Sequence, residues 1–301
     1  MSLLSISAAG AWSERDVARS GLYGTLVLPE GGKPVRAVLI LAGSGPTDRN
    51  GNNPGGSNDS LKLLAHGLAA EGIASLRVDK RGIAASAGAA LREEELRIES
   101  YVADAITWLD FMRSELVQSR VFLLGHSEGA LIATVAARRT DVAGLILLAG
   151  AGERADRIIA RQLAAGGVPE ALQAASKRIA ESLRAGKIVT DVPAELLALY
   201  RPSVQNYLMS WLPLDPAAEL AQTRGPVLVV QGTSDLQILP EDAQRLAVAR
   251  TGIKLVLIEG MNHVLKEAPL ERRANLGTYV RPDLPLAPEL LPAIVEFIGG
   301  L

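Results

Sequence analysis

The feature that constrains this chain most is VFLLGHSEGALIATVAA, residues 121–137. An unbroken apolar run, the pattern of a strand buried on both faces, passes through Gly125-His126-Ser127-Glu128-Gly129 directly into a helix-forming stretch. A strand that turns straight into a helix brings two backbones close together. Positions two before and two after the central residue must then be tiny, and both are glycine. The central side chain is left exposed at the edge of the sheet, on a strained turn. G-x-S-x-G occurs once in the sequence, in that strand-turn-helix setting, and makes Ser127 the expected nucleophile.

A hydroxyl attacks poorly unless a base takes its proton. The chain has three histidines. His126 lies inside the turn, where its position points it away from attack geometry. His66 falls mid-helix in LKLLAHGLAA and reads as a surface or packing residue. His263 follows the last apolar run, in LVLIEGMNHVLK, and is the expected base. The base needs a carboxylate to hold its tautomer and stabilise the imidazolium. Asp235, three residues past the run PVLVVQG (226–232), is the expected partner; Asp156 and Asp215 are rivals, with Asp215 suited to capping a helix at Pro216. The oxyanion of acyl transfer needs backbone N–H donors. One is expected from Glu128, after the nucleophile, and the other from Ser44 in AGSGPTDRNGN, with Gly45 the alternate.

The rest of the chain supplies a matching scaffold. Apolar runs recur at 22–28, 35–42, 73–78, 121–125, 143–150, 226–232 and 254–259, with helix-period segments between most of them. Such alternation predicts a mainly parallel sheet covered on both faces. The runs 22–28 and 35–42, joined across Gly31-Gly32, are expected to form an antiparallel hairpin. From Ala151 to about Leu220 only helix-like pieces appear, punctuated by Gly166-Gly167 and several prolines. A helical cap over 151–218, set on a core of 1–150 and 219–301, is the expected organisation. Its Tyr207, Leu208 and Trp211 suggest either an apolar acyl pocket or ordinary packing. Thr47 to Asn53 is expected to hydrogen-bond its own backbone, and Asp79-Lys80-Arg81-Gly82 to form a structural turn at the pocket rim.

LAGSGPTDRNGN (41–52), DKRGIAAS (79–86), GHSEG (125–129), QGTSDLQI (231–238) and GMNHVLK (260–266) together resemble the α/β-hydrolase fold. Within it the chain is similar to bacterial esterases of the dienelactone-hydrolase and serine-aminopeptidase neighbourhood. The resemblance implies a mostly parallel sheet of about eight strands, with helices on both faces. It also implies an acyl-enzyme mechanism on Ser127, His263 and Asp235. Two departures stand out. Ala42-Gly43 replaces the His-Gly that often opens the oxyanion loop, and Ala84 replaces the second glycine of D-x-R-G-x-G-x-S.

A net charge of -2 gives no electrostatic reason for a nucleic-acid or anionic-membrane partner. No run is long and apolar enough to span a bilayer. The N-terminus lacks a basic start followed by an apolar run, so a cytoplasmic protein is expected. With no cysteine, thiolate chemistry and disulfides are excluded, and no metal-ligand spacing appears, so neither cofactor nor metal is expected. The expected substrate is a small-molecule ester with a small to medium acyl group. Thioesters and peptides share the chemistry, and a non-catalytic receptor on the same fold is the competing class.

Overall fold

The computed structural model describes residues 12–31 and 33–301. Eight strands form one sheet: β1 Trp12–Arg19, β2 Leu22–Pro29, β3 Arg36–Leu41, β4 Ala74–Val78, β5 Arg120–His126, β6 Leu145–Leu148, β7 Val227–Gly232 and β8 Ile253–Ile258. They lie in the order β1-β2-β4-β3-β5-β6-β7-β8. From β4 and β3 to β8 all pairs are parallel, and β1 and β2 add an antiparallel edge. This is the α/β-hydrolase architecture.

Period-two geometry sends alternate residues of each central strand to opposite faces. Val38 and Ile40 pack under α1 (Ser60–Ala70) and α11 (Leu290–Gly299); Ala37, Leu39 and Leu41 face the other side, with α2 (Ile98–Glu115) and α3 (Glu128–Ala137). Both layers are apolar, which explains the unbroken runs. Between β6 and β7 lie α4 Ala155–Ala165, α5 Glu170–Arg184, α6 Leu197–Tyr200, α7 Gln205–Trp211 and α8 Pro216–Ala221. Leu183, Tyr200, Tyr207 and Leu208 from this insertion join the same apolar cluster as α2 and α3. Helices α9 (Pro240–Ala247) and α10 (Arg272–Gly277) complete the chain's larger elements.

The expected hairpin of 22–28 with 35–42 does not form. β2 pairs with β1 on one side and with β4 on the other, and β3 is enclosed by β4 and β5. β3, apolar on both faces, takes two parallel neighbours inside the sheet, whereas β2 is reached by a different turn. Ser20 and Gly21 have φ of 52° and 78°, the positive pair that a two-residue hairpin requires. β1 gave no apolar signal because most of WSERDVAR faces solvent. Ala84 adopts φ 46°, so the loop keeps a glycine-type conformation despite its alanine.

The tightest packing is at the crossing of β5 and α3. A Cβ on Gly125 would lie 2.1 Å from the Gly129 carbonyl oxygen, and one on Gly129 would lie 2.6 Å from that of Leu41. Both obstacles are backbone, which cannot swing aside as a side chain would. Gly125→Ala should therefore lower stability by at least about 3 kcal/mol, the upper range of overpacking costs. Urea denaturation checks this, and a loss under 1 kcal/mol would show the crossing to be slack.

Candidate active site

The β5–α3 turn holds Ser127 at φ 56° and ψ −122°, a conformation that non-glycine residues adopt only when their surroundings impose it. Its N–H donates to the Leu148 carbonyl at 2.9 Å, tying the turn to the end of β6. The Ser127 Oγ lies 3.1 Å from His263 Nε2. On the other side of that ring, Nδ1 is 2.8 Å from Asp235 Oδ2. The structure thus brings together three side chains from the loops after β5, β7 and β8. Their meeting depends on Gly232: a Cβ there would lie 2.0 Å from the Met261 carbonyl oxygen, so only glycine lets the histidine loop settle against β7.

Asp235 is buried and well satisfied. Its Oδ1 accepts from the N–H groups of Gln237 (2.7 Å) and Ile238 (3.0 Å), and Gln231 Nε2 donates to Oδ2 at 3.2 Å. Burial raises the pKa of this carboxyl, but the imidazole of His263 and the two backbone donors outweigh burial and hold it below the ordinary carboxylate value. An ionised carboxylate bonded to Nδ1 leaves Nε2 as the acceptor facing the hydroxyl, provided Nδ1 carries the proton. Such an array can move a proton from Ser127 and return it to a leaving group. The rivals lie elsewhere. Asp156 pairs with Arg154 and Arg184, and Asp215 caps α8 by accepting from Ala217 and Ala218 N–H.

Ser44 lines the same cleft as Ser127, and Glu128 follows Ser127 in the chain. A Cβ on Gly43 would be 3.0 Å from Ser127 Cβ, so the loop after β3 approaches the turn as closely as glycine allows. Glu128 opens α3, where its N–H has no intrahelical acceptor. Gly43, Ser44, His126, Ser127 and His263 line a cleft of about 310 Å³. Its remaining wall is mostly polar or glycine: Thr47, Gly51, Asn53, Gly55, Gly56, Asn58, Ser60, Gln237 and Tyr279, with Val264 the one aliphatic side chain. None of these residues comes from the helical insertion. Tyr207 and Leu208 are buried in the core and Trp211 packs against it, which is the packing alternative for those residues. Among the described residues no cluster of three or more His, Asp or Glu is placed to hold a metal, and no helix is long and apolar enough to cross a membrane.

Residues 56–267 match the model of the Hydrolase_4 family, serine aminopeptidase S33. The chain belongs to this family. Among curated relatives it is similar to the esterase EstD of Thermotoga maritima, 25% identical over 276 residues. That match covers 87% of this chain and 63% of the relative, so the chain spans less than two thirds of the EstD length. Among solved structures it is similar in fold to Est1E from Butyrivibrio proteoclasticus bound to ferulic acid (TM-score 0.62, 17% identity, 95% of this chain and 99% of that one). It also resembles proline iminopeptidase of Mycobacterium smegmatis (TM-score 0.58, 16% identity, 96% and 98% coverage).

Two residues around the cleft escaped the sequence. Lys80, read there as part of a rim turn, extends to the carbonyls of Gly43 and Gly45 in the loop after β3. His126 is bonded to main chain rather than to Ser127, yet it lines the cleft: its ring centroid is 4.9 Å from that of His263, and its Nε2 lies 2.8 Å from the His263 carbonyl oxygen. Both contact main chain, which leaves no pattern of spacing in a sequence. The loop 47–53 bonds itself as expected, Asp48 Oδ1 accepting from Asn50 and Asn52 N–H. Arg49 instead reaches Asp79 at 2.8 Å and so joins the two motif loops.

Burial, and then the neighbouring charge of His263, push His126 down to about 4 from the ordinary 6.5. The unfolded chain therefore takes up a proton between those values while the folded chain does not, and stability falls as pH drops from about 6.5 to about 4. The loss should be roughly 2–3 kcal/mol by linkage. Urea midpoints at pH 7 and pH 4.5 should separate more in the wild type than in His126→Gln; parallel pH dependence in the two would contradict this.

Proposed function

We propose that this S33 protein is a serine hydrolase of the carboxylesterase type, working through an acyl-enzyme on Ser127. The observation that carries the reading is the continuous Asp235–His263–Ser127 hydrogen-bonded array opening on a cleft. In this scheme Ser127 attacks the ester carbonyl as His263 takes its proton. Backbone N–H groups of Ser44 and Glu128 hold the tetrahedral oxyanion, the alcohol leaves with the proton from His263, and water releases the acid. Asp235 stays ionised throughout, in keeping with its lowered pKa.

The cleft speaks for small acyl groups. About 310 Å³ and a single aliphatic wall residue offer little apolar surface to a long chain. The segment 151–218 is read as a cap beside the cleft rather than above the nucleophile, on a core of 1–150 and 219–301. Gln162 from this cap donates to the Gln237 carbonyl at 3.2 Å, at the cleft wall. The name of the family gives a second reading, an aminoacyl amide as substrate, which uses the same proton path.

With p-nitrophenyl acetate, Ser127→Ala should reduce kcat by about a millionfold, as loss of a nucleophile does in comparable triads. Wild-type-like turnover in that variant would refute the reading. On p-nitrophenyl esters of rising chain length, kcat/KM should fall from acetyl or butyryl to decanoyl. Parallel rates on aminoacyl p-nitroanilides separate the peptidase reading, since faster cleavage of those amides would favour it.

A further inference from the structure

Lys80 lies in the turn after β4 and plays no part in the proton path, yet its Nζ donates to two carbonyl oxygens of the oxyanion loop. These are Gly43 O at 2.5 Å and Gly45 O at 2.6 Å. The side chain is 9% exposed and does not line the cleft; it borders instead a small apolar recess with Leu41, Tyr101 and Ile132. Lys80 therefore reaches the loop from the recess rather than from the cleft.

That placement has a stereochemical consequence. In a trans peptide the C=O of one residue and the N–H of the next point in opposite directions. Holding the Gly43 carbonyl toward Lys80 turns the Ser44 N–H the other way, away from the recess and to the side of the cleft that Ser44 lines. The Gly45 carbonyl belongs to the peptide bond of Pro46, which has no N–H, so anchoring it fixes the loop without presenting a second donor. We propose that Lys80 is a positioning residue that aims the Ser44 N–H at the oxyanion. The inference rests on the acyl-transfer reading above and adds a component to it.

The same buried group ties the two donors to each other. Lys80 Nζ is 3.9 Å from Glu128 Oε2 and 5.8 Å from the centre of the Tyr101 ring. Glu128 Oε1 accepts from the Tyr207 hydroxyl at 2.6 Å. Glu128 thus presents its N–H beside Ser127 while its carboxylate faces the lysine that sets Ser44. Burial lowers the pKa of the Lys80 amine, and the nearby Glu128 carboxylate opposes that shift.

The test compares Lys80→Met with Lys80→Arg on p-nitrophenyl acetate. Methionine fills similar volume and donates nothing; arginine is larger but keeps charge and several N–H groups. Lys80→Met should lose about 10- to 100-fold in kcat with KM within about threefold, since misaiming an oxyanion donor acts on the transition state. Lys80→Arg should recover a substantial part of that loss, and a trifluoromethyl ketone, which forms a tetrahedral adduct, should weaken in proportion to kcat. A role limited to filling space would favour methionine over arginine. Should Lys80→Met fail to fold, Lys80→Gln, too short to span both carbonyls, carries the same expectation. Wild-type kcat in Lys80→Met, or in Lys80→Gln where that variant stands in for it, beside an inactive Ser127→Ala, would overturn the role of Lys80 alone. Activity retained in Ser127→Ala would overturn the acyl-transfer reading and this inference with it.

Discussion

Where β5 gives way to α3, three stretches of main chain meet at distances that exclude any side chain. Gly125 touches Gly129, and Gly129 touches the carbonyls of Leu41 and Ala42 at the end of β3. This contact forces Ser127 into its left-handed conformation and draws the loop after β3 against it. The Ser127 turn and the main chain of the loop after β3 are therefore fixed by one packing constraint. Gly232 repeats the device at β7, where close approach of Met261 delivers His263 to Asp235. Removal of Cβ atoms at these positions allows the loops to converge.

Much of this was legible because it follows from backbone sterics and apolar periodicity. Seven strands announced themselves as apolar runs, most of them unbroken, since the sheet is covered on both faces. Ser127, Asp235 and His263 could be selected by position at strand ends, and the structure brings their side chains within hydrogen-bonding reach. β1 stayed hidden because an edge strand with most of its side chains in water has no apolar pattern, and its partner was misassigned because Gly31-Gly32 was a louder turn signal than Ser20-Gly21.

Other features were silent for a different reason. Lys80 and His126 act on carbonyl oxygens, which every residue possesses, so nothing in the one-letter code marks their partners. The polar character of the cleft was equally hidden. Its walls come largely from loops after β3, β7 and β8, whereas of the α7 aromatics that suggested an apolar pocket Tyr207 is buried in the core and Trp211 packs against it. Helical periodicity identifies a buried face without saying whether protein or ligand covers it.

The shared core of the insertion has a mechanical meaning. Leu183, Tyr200, Tyr207 and Leu208 belong to the cluster that supports α2 and α3, and Tyr207 is bonded to Glu128 on the first turn of α3. A segment rooted in this way cannot swing as a hinged flap without stripping water-shielding from the scaffold beneath it. Nor is it an interchangeable module: shortening or grafting it would alter the foundation of the turn that carries Ser127.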